Sequence, residues 1–253
     1  MNIREFGAGP AVLLLHGTPS PATDWIPIAE RLADRFRVIV PDLPGYGSSP
    51  ALQDPTTERI GDAIHSMLTT LGVRELHAIG GFSSGAYRAF DLVLRREIPT
   101  RVVVGIGAMA TFDDDAREVR RMFVRELEAD SGFLGRPETR AMIREIMLAP
   151  SASNEAVAAV AKWDQNTTAA ALVGELRALA STRDVRPELP RLHARLYLRV
   201  GELDVSCPPR TSHEIARLVP GAIVDVVGGC GHSLLIEDPE PTLEAIVRHI
   251  ELS

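Results

Sequence analysis

Gly81-Phe82-Ser83-Ser84-Gly85 sets a serine midway between two glycines. The pentapeptide follows an apolar run, Leu76–Gly80, and opens an amphipathic stretch that begins at Gly85, so it falls at a strand-to-helix turn. Such a turn forces its middle residue into a strained backbone conformation. Glycines two before and two after remove the β-carbons that would collide as the chain doubles back. The Ser83 hydroxyl is expected to project above a helix N-terminus, whose dipole favours developing negative charge. The chemistry this suits is nucleophilic attack on a carbonyl.

A serine hydroxyl is a poor nucleophile at neutral pH and needs a base within hydrogen-bond reach. His232 is the best candidate. It lies in Gly228-Gly229-Cys230-Gly231-His232-Ser233, a glycine-rich loop after the apolar run Ile223–Val227, able to turn inward and deliver an imidazole. His65 and His213 lie on amphipathic stretches, His77 begins a strand, and His193 and His249 sit near charged element ends, all settings of structural or solvated histidines. The base needs a carboxylate to fix its tautomer and stabilise the imidazolium. Asp204 fits, in Gly201-Glu202-Leu203-Asp204 after the run Arg195–Val200, with Pro208 and Pro209 closing the loop. Glu202 and Asp113–Asp115 remain as alternatives.

A tetrahedral oxyanion needs two preorganised N–H donors. One is expected from the backbone of Ser84, directly after the nucleophile. The other is expected from His16-Gly17-Thr18-Pro19, at Thr18, because Pro19 has no N–H. His16 is read as a loop-fixing hydrogen-bonding group and not as a catalyst.

Positioning these groups falls to alternating strand and helix patterns. Strands are expected at Ala11–His16, Arg37–Pro41, Leu76–Gly81, Val102–Ile106, Arg195–Val200 and Ile223–Val227. They are continuously apolar, as strands covered on both faces are. Amphipathic stretches at Asp24–Arg35, Glu58–Leu71, Gly85–Arg96, Thr211–Val219 and Thr242–Ile250 alternate with them. The pattern predicts an α/β fold built on a mostly parallel, doubly wound sheet. From Asp113 to Arg186 the alternation stops, and only helical patterns appear: Arg117–Ala129, Glu138–Leu148, Asn154–Trp163 and Ala169–Leu179. Residues 113–186 therefore read as a helical cap inserted into a core made of residues 1–112 and 187–253. A cap has to roof something, so Met122, Phe133, Met142 and Trp163 are expected to face a substrate pocket, with Phe82, Met109 and Val205 from the core.

The 253 residues are 45% apolar with a formal net charge of −7, so a sizeable core is expected but no basic face for nucleic acid or an anionic membrane. No apolar run approaches the roughly 18–20 residues that span a bilayer. The longest early one, Ala11–Leu15, is too short for a signal-peptide core, and a cytoplasmic protein is expected. Cys207 and Cys230 form no CxxC or zinc pattern and read as small fillers. No metal or organic cofactor is expected. The oligomeric state is not legible.

Taken together, the stretches LLLHGTP, VIVPDLPGYGSS, GGFSSG, GELDVSCPP and GCGHSLLIEDPE make the chain resemble the α/β-hydrolase superfamily over nearly its whole length. The order Ser, Asp, His is the order of that family. The resemblance implies the α/β-hydrolase fold and a site of Ser83, Asp204 and His232 with Thr18 and Ser84 as oxyanion donors. Size and cap look most similar to small esterases and lactonases, including enol-lactonases. Dehalogenases and epoxide hydrolases place Asp where this chain has Ser83. One departure is the start: only Asn2–Phe6 precedes the Gly7–Pro10 turn, so the usual opening hairpin is expected to lack its first strand.

The expected reaction is acyl transfer from a small ester or lactone to water, through an acyl-enzyme on Ser83. Carbon–carbon bond hydrolysis of ring-cleavage products, cofactor-free haloperoxidase or perhydrolase activity, and a non-enzymatic ligand receptor stay open beside it. Arg117, Arg120, Arg121 and Arg125 recur at helical intervals. One of them could hold a substrate carboxylate, or all four could form a solvated face paired with Asp113–Asp115, Glu118, Glu126 and Glu128. Arg88, just past Ser83, is open in the same way.

Overall fold

The computed structural model describes residues 1–252. Seven strands form one sheet: β1 Ile3–Phe6, β2 Ala11–Leu15, β3 Arg37–Pro41, β4 Leu76–Phe82, β5 Thr100–Ile106, β6 Arg195–Gly201 and β7 Ile223–Val227. Their order across the sheet is β1-β3-β2-β4-β5-β6-β7, and every pairing is parallel except β1 against β3. The short opening segment, where the usual hairpin was expected to lack its first strand, forms the edge strand of the sheet. Ile3–Phe6 runs antiparallel to β3, from Ile3 opposite Pro41 to Phe6 opposite Val38, instead of folding back on β2.

Alternation along the strands distributes side chains between two cores. Val12 and Leu14 of β2 join Val38, Val40 and Trp25 on one face, under α1 (Ile26–Leu32), α9 (Leu234–Glu237) and α10 (Pro239–Glu251). Leu13 and Leu15 join Ile39, Ile79 and Val103 on the other, under α2 (Thr57–Thr70), α3 (Ser84–Arg95) and α8 (Pro209–Leu218). β7 departs from the buried pattern expected of it. It is the sheet's other edge, and its Ile223 and Val226 are exposed. The helix expected over Asp24–Arg35 is divided into a 3-10 turn, Ala22–Trp25, and α1, whose first turn holds Pro27. A proline lacks the N–H that an interior helical position needs, so it suits a helix start. Pro239 and Pro241 likewise fall in the first turn of α10, which begins three residues before the expected Thr242.

Between β5 and β6 the chain leaves the sheet for α4 (Asp114–Ala129), α5 (Pro137–Met147), α6 (Asn154–Val160) and α7 (Ala169–Ala180). A separate small core of Phe123, Val124, Leu127, Phe133, Leu172 and Val173 joins this block together. Asp113 starts α4 by accepting from the Ala116 N–H at 2.8 Å, and Thr168 starts α7 through the Ala171 N–H. Among the described residues, no helix is long and apolar enough to cross a membrane.

The sheet order fixes where a site can be. From β2 the chain moves outward to β3 and then returns to β4 on the other side of β2. Strand order therefore reverses between β2 and β4. In open parallel sheets the crevice lies at the carboxyl ends of the strands flanking such a reversal. Here those ends are His16–Pro19 and Ser83.

Candidate functional site

Ser83 connects β4 to α3 with φ 54° and ψ −119°, a positive φ that a side chain adopts only under strain of order 1–3 kcal/mol. The surrounding glycines make this turn possible. A β-carbon on Gly81 would lie 2.4 Å from the Ala86 nitrogen, and one on Gly85 would lie 2.3 Å from the Leu15 carbonyl oxygen. The turn is fixed from below by the Ser83 N–H, which donates to the Ile106 carbonyl at 2.8 Å.

His232 arrives from the loop after β7 and is almost fully buried. Its Nδ1 lies 2.7 Å from Asp204 Oδ2. Because a carboxylate can only accept, Nδ1 carries the proton, leaving Nε2 as the basic nitrogen. Nε2 is sealed from solvent and has no hydrogen-bond partner. The imidazole lies against Phe82, the residue before Ser83, with ring centroids 4.9 Å apart. On its other side is Gly107, which follows the Ile106 whose carbonyl holds Ser83; a β-carbon there would come within 2.7 Å of His232 Cε1. The second Asp204 oxygen accepts from the Cys207 N–H at 2.7 Å, so both are engaged. Glu202 is exposed and accepts from the Gly229 N–H, Asp113 caps α4, and Asp114 and Asp115 are exposed in its first turn, so none of the alternative carboxylates is the partner of His232.

The loop after β2 closes over the same turn. His16 Nε2 accepts from the Leu43 N–H at 3.0 Å while its Nδ1 meets the Gly17 carbonyl at 2.8 Å. Burial pushes this imidazole down to about 4, so it stays neutral as a loop anchor. The Thr18 hydroxyl donates to Glu175 Oε1 at 2.8 Å and lies 2.9 Å from the Ser84 hydroxyl, which draws the loop to the first residue of α3. As the first residue of a helix, Ser84 has an N–H with no intrahelical acceptor. Glu175, on α7, also pairs with Arg88 of α3; both side chains are buried. Arg88, ambiguous in sequence, therefore joins the sheet-covering helix to the helical insertion.

Above Ser83 lies a cavity of about 230 Å³. Thr18, Pro19, Ser83 and Ser84 form its floor, and Val205 and Ser206 one side. The roof comes from the insertion, with Val119 and Phe123 of α4, Ile143 and Met147 of α5, and Leu172 and Leu176 of α7. Of the seven residues expected to line a pocket, Val205 does so. Phe82 lies beneath, packed on His232 and 6.4 Å from the ring of Trp163, which is itself buried. Met109 belongs to the core under α3. Phe133 is inside the insertion's own core, with Met122 and Met142 packed against it. Three of the four expected helices, α4, α5 and α7, line the cavity, with other positions than those expected, while α6 and Trp163 do not reach it. Helical periodicity identifies an apolar stripe without saying which part of it faces the sheet.

Comparison with known proteins decides the family. A model of the alpha/beta hydrolase family matches residues 12–245. The chain belongs to the alpha/beta hydrolase family. Among curated relatives, a pimeloyl-[acyl-carrier protein] methyl ester esterase from Vibrio vulnificus is 27% identical, over 92% of this chain and 91% of its own. Among solved structures, a thermophilic esterase from Thermogutta terrifontis, with malate bound, superposes with a TM-score of 0.89 at 25% identity, covering 99% of this chain and 93% of that one. The enol-lactonase from Burkholderia xenovorans LB400 shares the fold, with a TM-score of 0.87 at 18% identity over 99% of this chain and 96% of that one.

In this alpha/beta hydrolase, two residues beside the site carry no sequence signal that separates them from their neighbours. Glu175 is one acidic residue on an amphipathic pattern, and Gly107 one glycine after a strand. Only the close approach of α7 to Thr18, and of β5 to His232, gives either a role.

Proposed function

We propose that this hydrolase cleaves a small carboxylic ester or lactone through an acyl-enzyme on Ser83. The observation that carries the proposal is the buried 2.7 Å contact between Asp204 and His232, with an unpartnered His232 Nε2 on the side chain packed against the Ser83 turn. An unsatisfied buried nitrogen costs stability, about 1–3 kcal/mol, so its retention calls for a use. Its use here is to take the Ser83 proton.

His232 Nε2 removes the hydroxyl proton as Ser83 Oγ attacks the carbonyl, forming a tetrahedral intermediate. The backbone N–H groups of Thr18 and Ser84 receive the oxyanion, where each donor aimed at developing charge contributes roughly 3 kcal/mol. The imidazolium, held by Asp204, protonates the departing alkoxide; for a lactone the alkoxide stays on the acyl chain. The same nitrogen then activates water, whose attack releases the acid and restores Ser83. The helical insertion acts as a cap over an apolar acyl site. The printed activity of the Vibrio vulnificus relative, a methyl ester esterase, supports ester cleavage.

Turnover of p-nitrophenyl esters from acetyl to octanoyl, with wild type and Ser83→Ala, tests the proposal. We expect hydrolysis that Ser83→Ala abolishes, and that Asp204→Asn lowers by roughly 10³- to 10⁴-fold in kcat. Hydrolysis that persists undiminished in Ser83→Ala would overturn it.

A further inference from the structure

The four arginines of α4 have separate fates. Arg117 donates to the backbone carbonyls of Phe112, Ala180 and Thr182. Arg121 and Arg125 both pair with Glu118 on the exposed face. Arg120 alone turns inward, and it is the one charged side chain lining the cavity over Ser83. Its guanidinium carbon lies 3.6 Å above the centre of the Phe112 ring, and Nη1 donates to the Ala116 carbonyl at 2.6 Å. It has no ion pair among the described residues. The carboxylates nearest in charge are committed elsewhere: Asp113 to the start of α4, Glu175 to Arg88 and Thr18.

An arginine in a largely apolar cavity, without a counter-charge, is costly to keep. Desolvation pulls this guanidinium down to about 10, so it is still cationic at neutral pH. The stacking on Phe112 and the bond to Ala116 fix the guanidinium plane, and Nε and Nη2 stay free to donate. Such a planar edge matches a carboxylate in a bidentate geometry. A single cation balances a single negative charge, which favours a carboxylate over a phosphate dianion. We propose that Arg120 selects substrates that carry a carboxylate remote from the scissile ester or lactone carbonyl, the rest of the substrate lying along the apolar cap. This substrate class rests on the Ser83 hydrolase proposal.

The test pairs two esters with the same leaving group, mono-p-nitrophenyl adipate and p-nitrophenyl hexanoate, and reads the ratio of their kcat/KM values. We expect wild type to favour the adipate monoester by roughly 10- to 100-fold, the range of a charge-assisted hydrogen bond. Arg120→Met should bring the ratio near one, and Arg120→Lys should keep part of it. Labelling of Ser83 by a fluorophosphonate in each variant shows that the site remains assembled. Calorimetry of monomethyl adipate and dimethyl adipate with Ser83→Ala reads the same preference without turnover. A wild-type ratio at or below one, or a ratio unchanged in a labelled Arg120→Met, would overturn the carboxylate assignment and leave the hydrolase proposal standing. Failure of Ser83 to label or turn over either ester in wild type would overturn both.

Discussion

Thr18 and Glu175, 157 positions apart, are joined by a 2.8 Å hydrogen bond that ties the loop after β2 to the helical insertion. Glu175 receives Arg88 on the same oxygen, so one buried carboxylate serves both the loop and the helix behind Ser83. Glu175→Leu strips Arg88 of its counter-charge inside the protein. We expect that single change to cost about 3–5 kcal/mol, and Glu175→Leu/Arg88→Leu to recover much of it, because the uncompensated charge is gone. Urea unfolding of the three proteins measures this; equal stabilities for wild type and Glu175→Leu would refute the coupling.

Gly107 bears on the proposed base, His232, through packing alone. Its φ is +51°, and a β-carbon there would press on both Cε1 and Nδ1 of His232, at 2.7 and 2.8 Å. Gly107→Ala should therefore displace the imidazole from its contact with Asp204. The expected outcome is a kcat reduced by at least about tenfold, the effect of roughly 1.4 kcal/mol, with a smaller change in KM. Steady-state kinetics on a p-nitrophenyl ester decide it, and an unaltered kcat would show that the ring has room to move.

Asp24 gives a pH-dependent stability term with a defined sign. Its Oδ2 is buried without a partner, and desolvation raises the carboxyl from 3.8 to about 7. A raised folded pKa means the native state holds the proton more tightly than the unfolded chain does. The associated stability is fully present below the unfolded value and is lost as pH rises through about 7. Asp24→Asn removes this dependence. The variant should match wild type near pH 4 and exceed it by roughly 2–4 kcal/mol at pH 8. Thermal melts at the two pH values supply the comparison, and a variant less stable than wild type at pH 8 would contradict the burial argument.

Six of the seven strands were legible because each is a short β-branched or leucine run bounded by turn residues, and β3 and β7 match their expected limits; β1, with Arg4 and Glu5 in its four residues, carries no such run. The candidate triad was legible because each member sits in a glycine- or proline-marked loop directly after a strand. Tertiary placement was less so. Phe133 and Val205 both read as pocket candidates, yet only Val205 meets the cavity; Phe133 packs within the insertion. Nothing local distinguishes an apolar side chain that roofs a cavity from one that holds two cap helices together. Arg120 illustrates the same limit among charged residues. Its spacing matches that of Arg117 and Arg121, and only the packing of α4 against Phe112 turns it inward.

The most direct measurement is mass spectrometry of the protein quenched in acid during turnover of p-nitrophenyl butyrate, followed by proteolysis. The account expects a butyryl adduct on the peptide carrying Ser83, present in wild type, absent in Ser83→Ala, and matched by an early burst of p-nitrophenol. Steady hydrolysis with the adduct on another residue, or with Ser83→Ala as active as wild type, would contradict it.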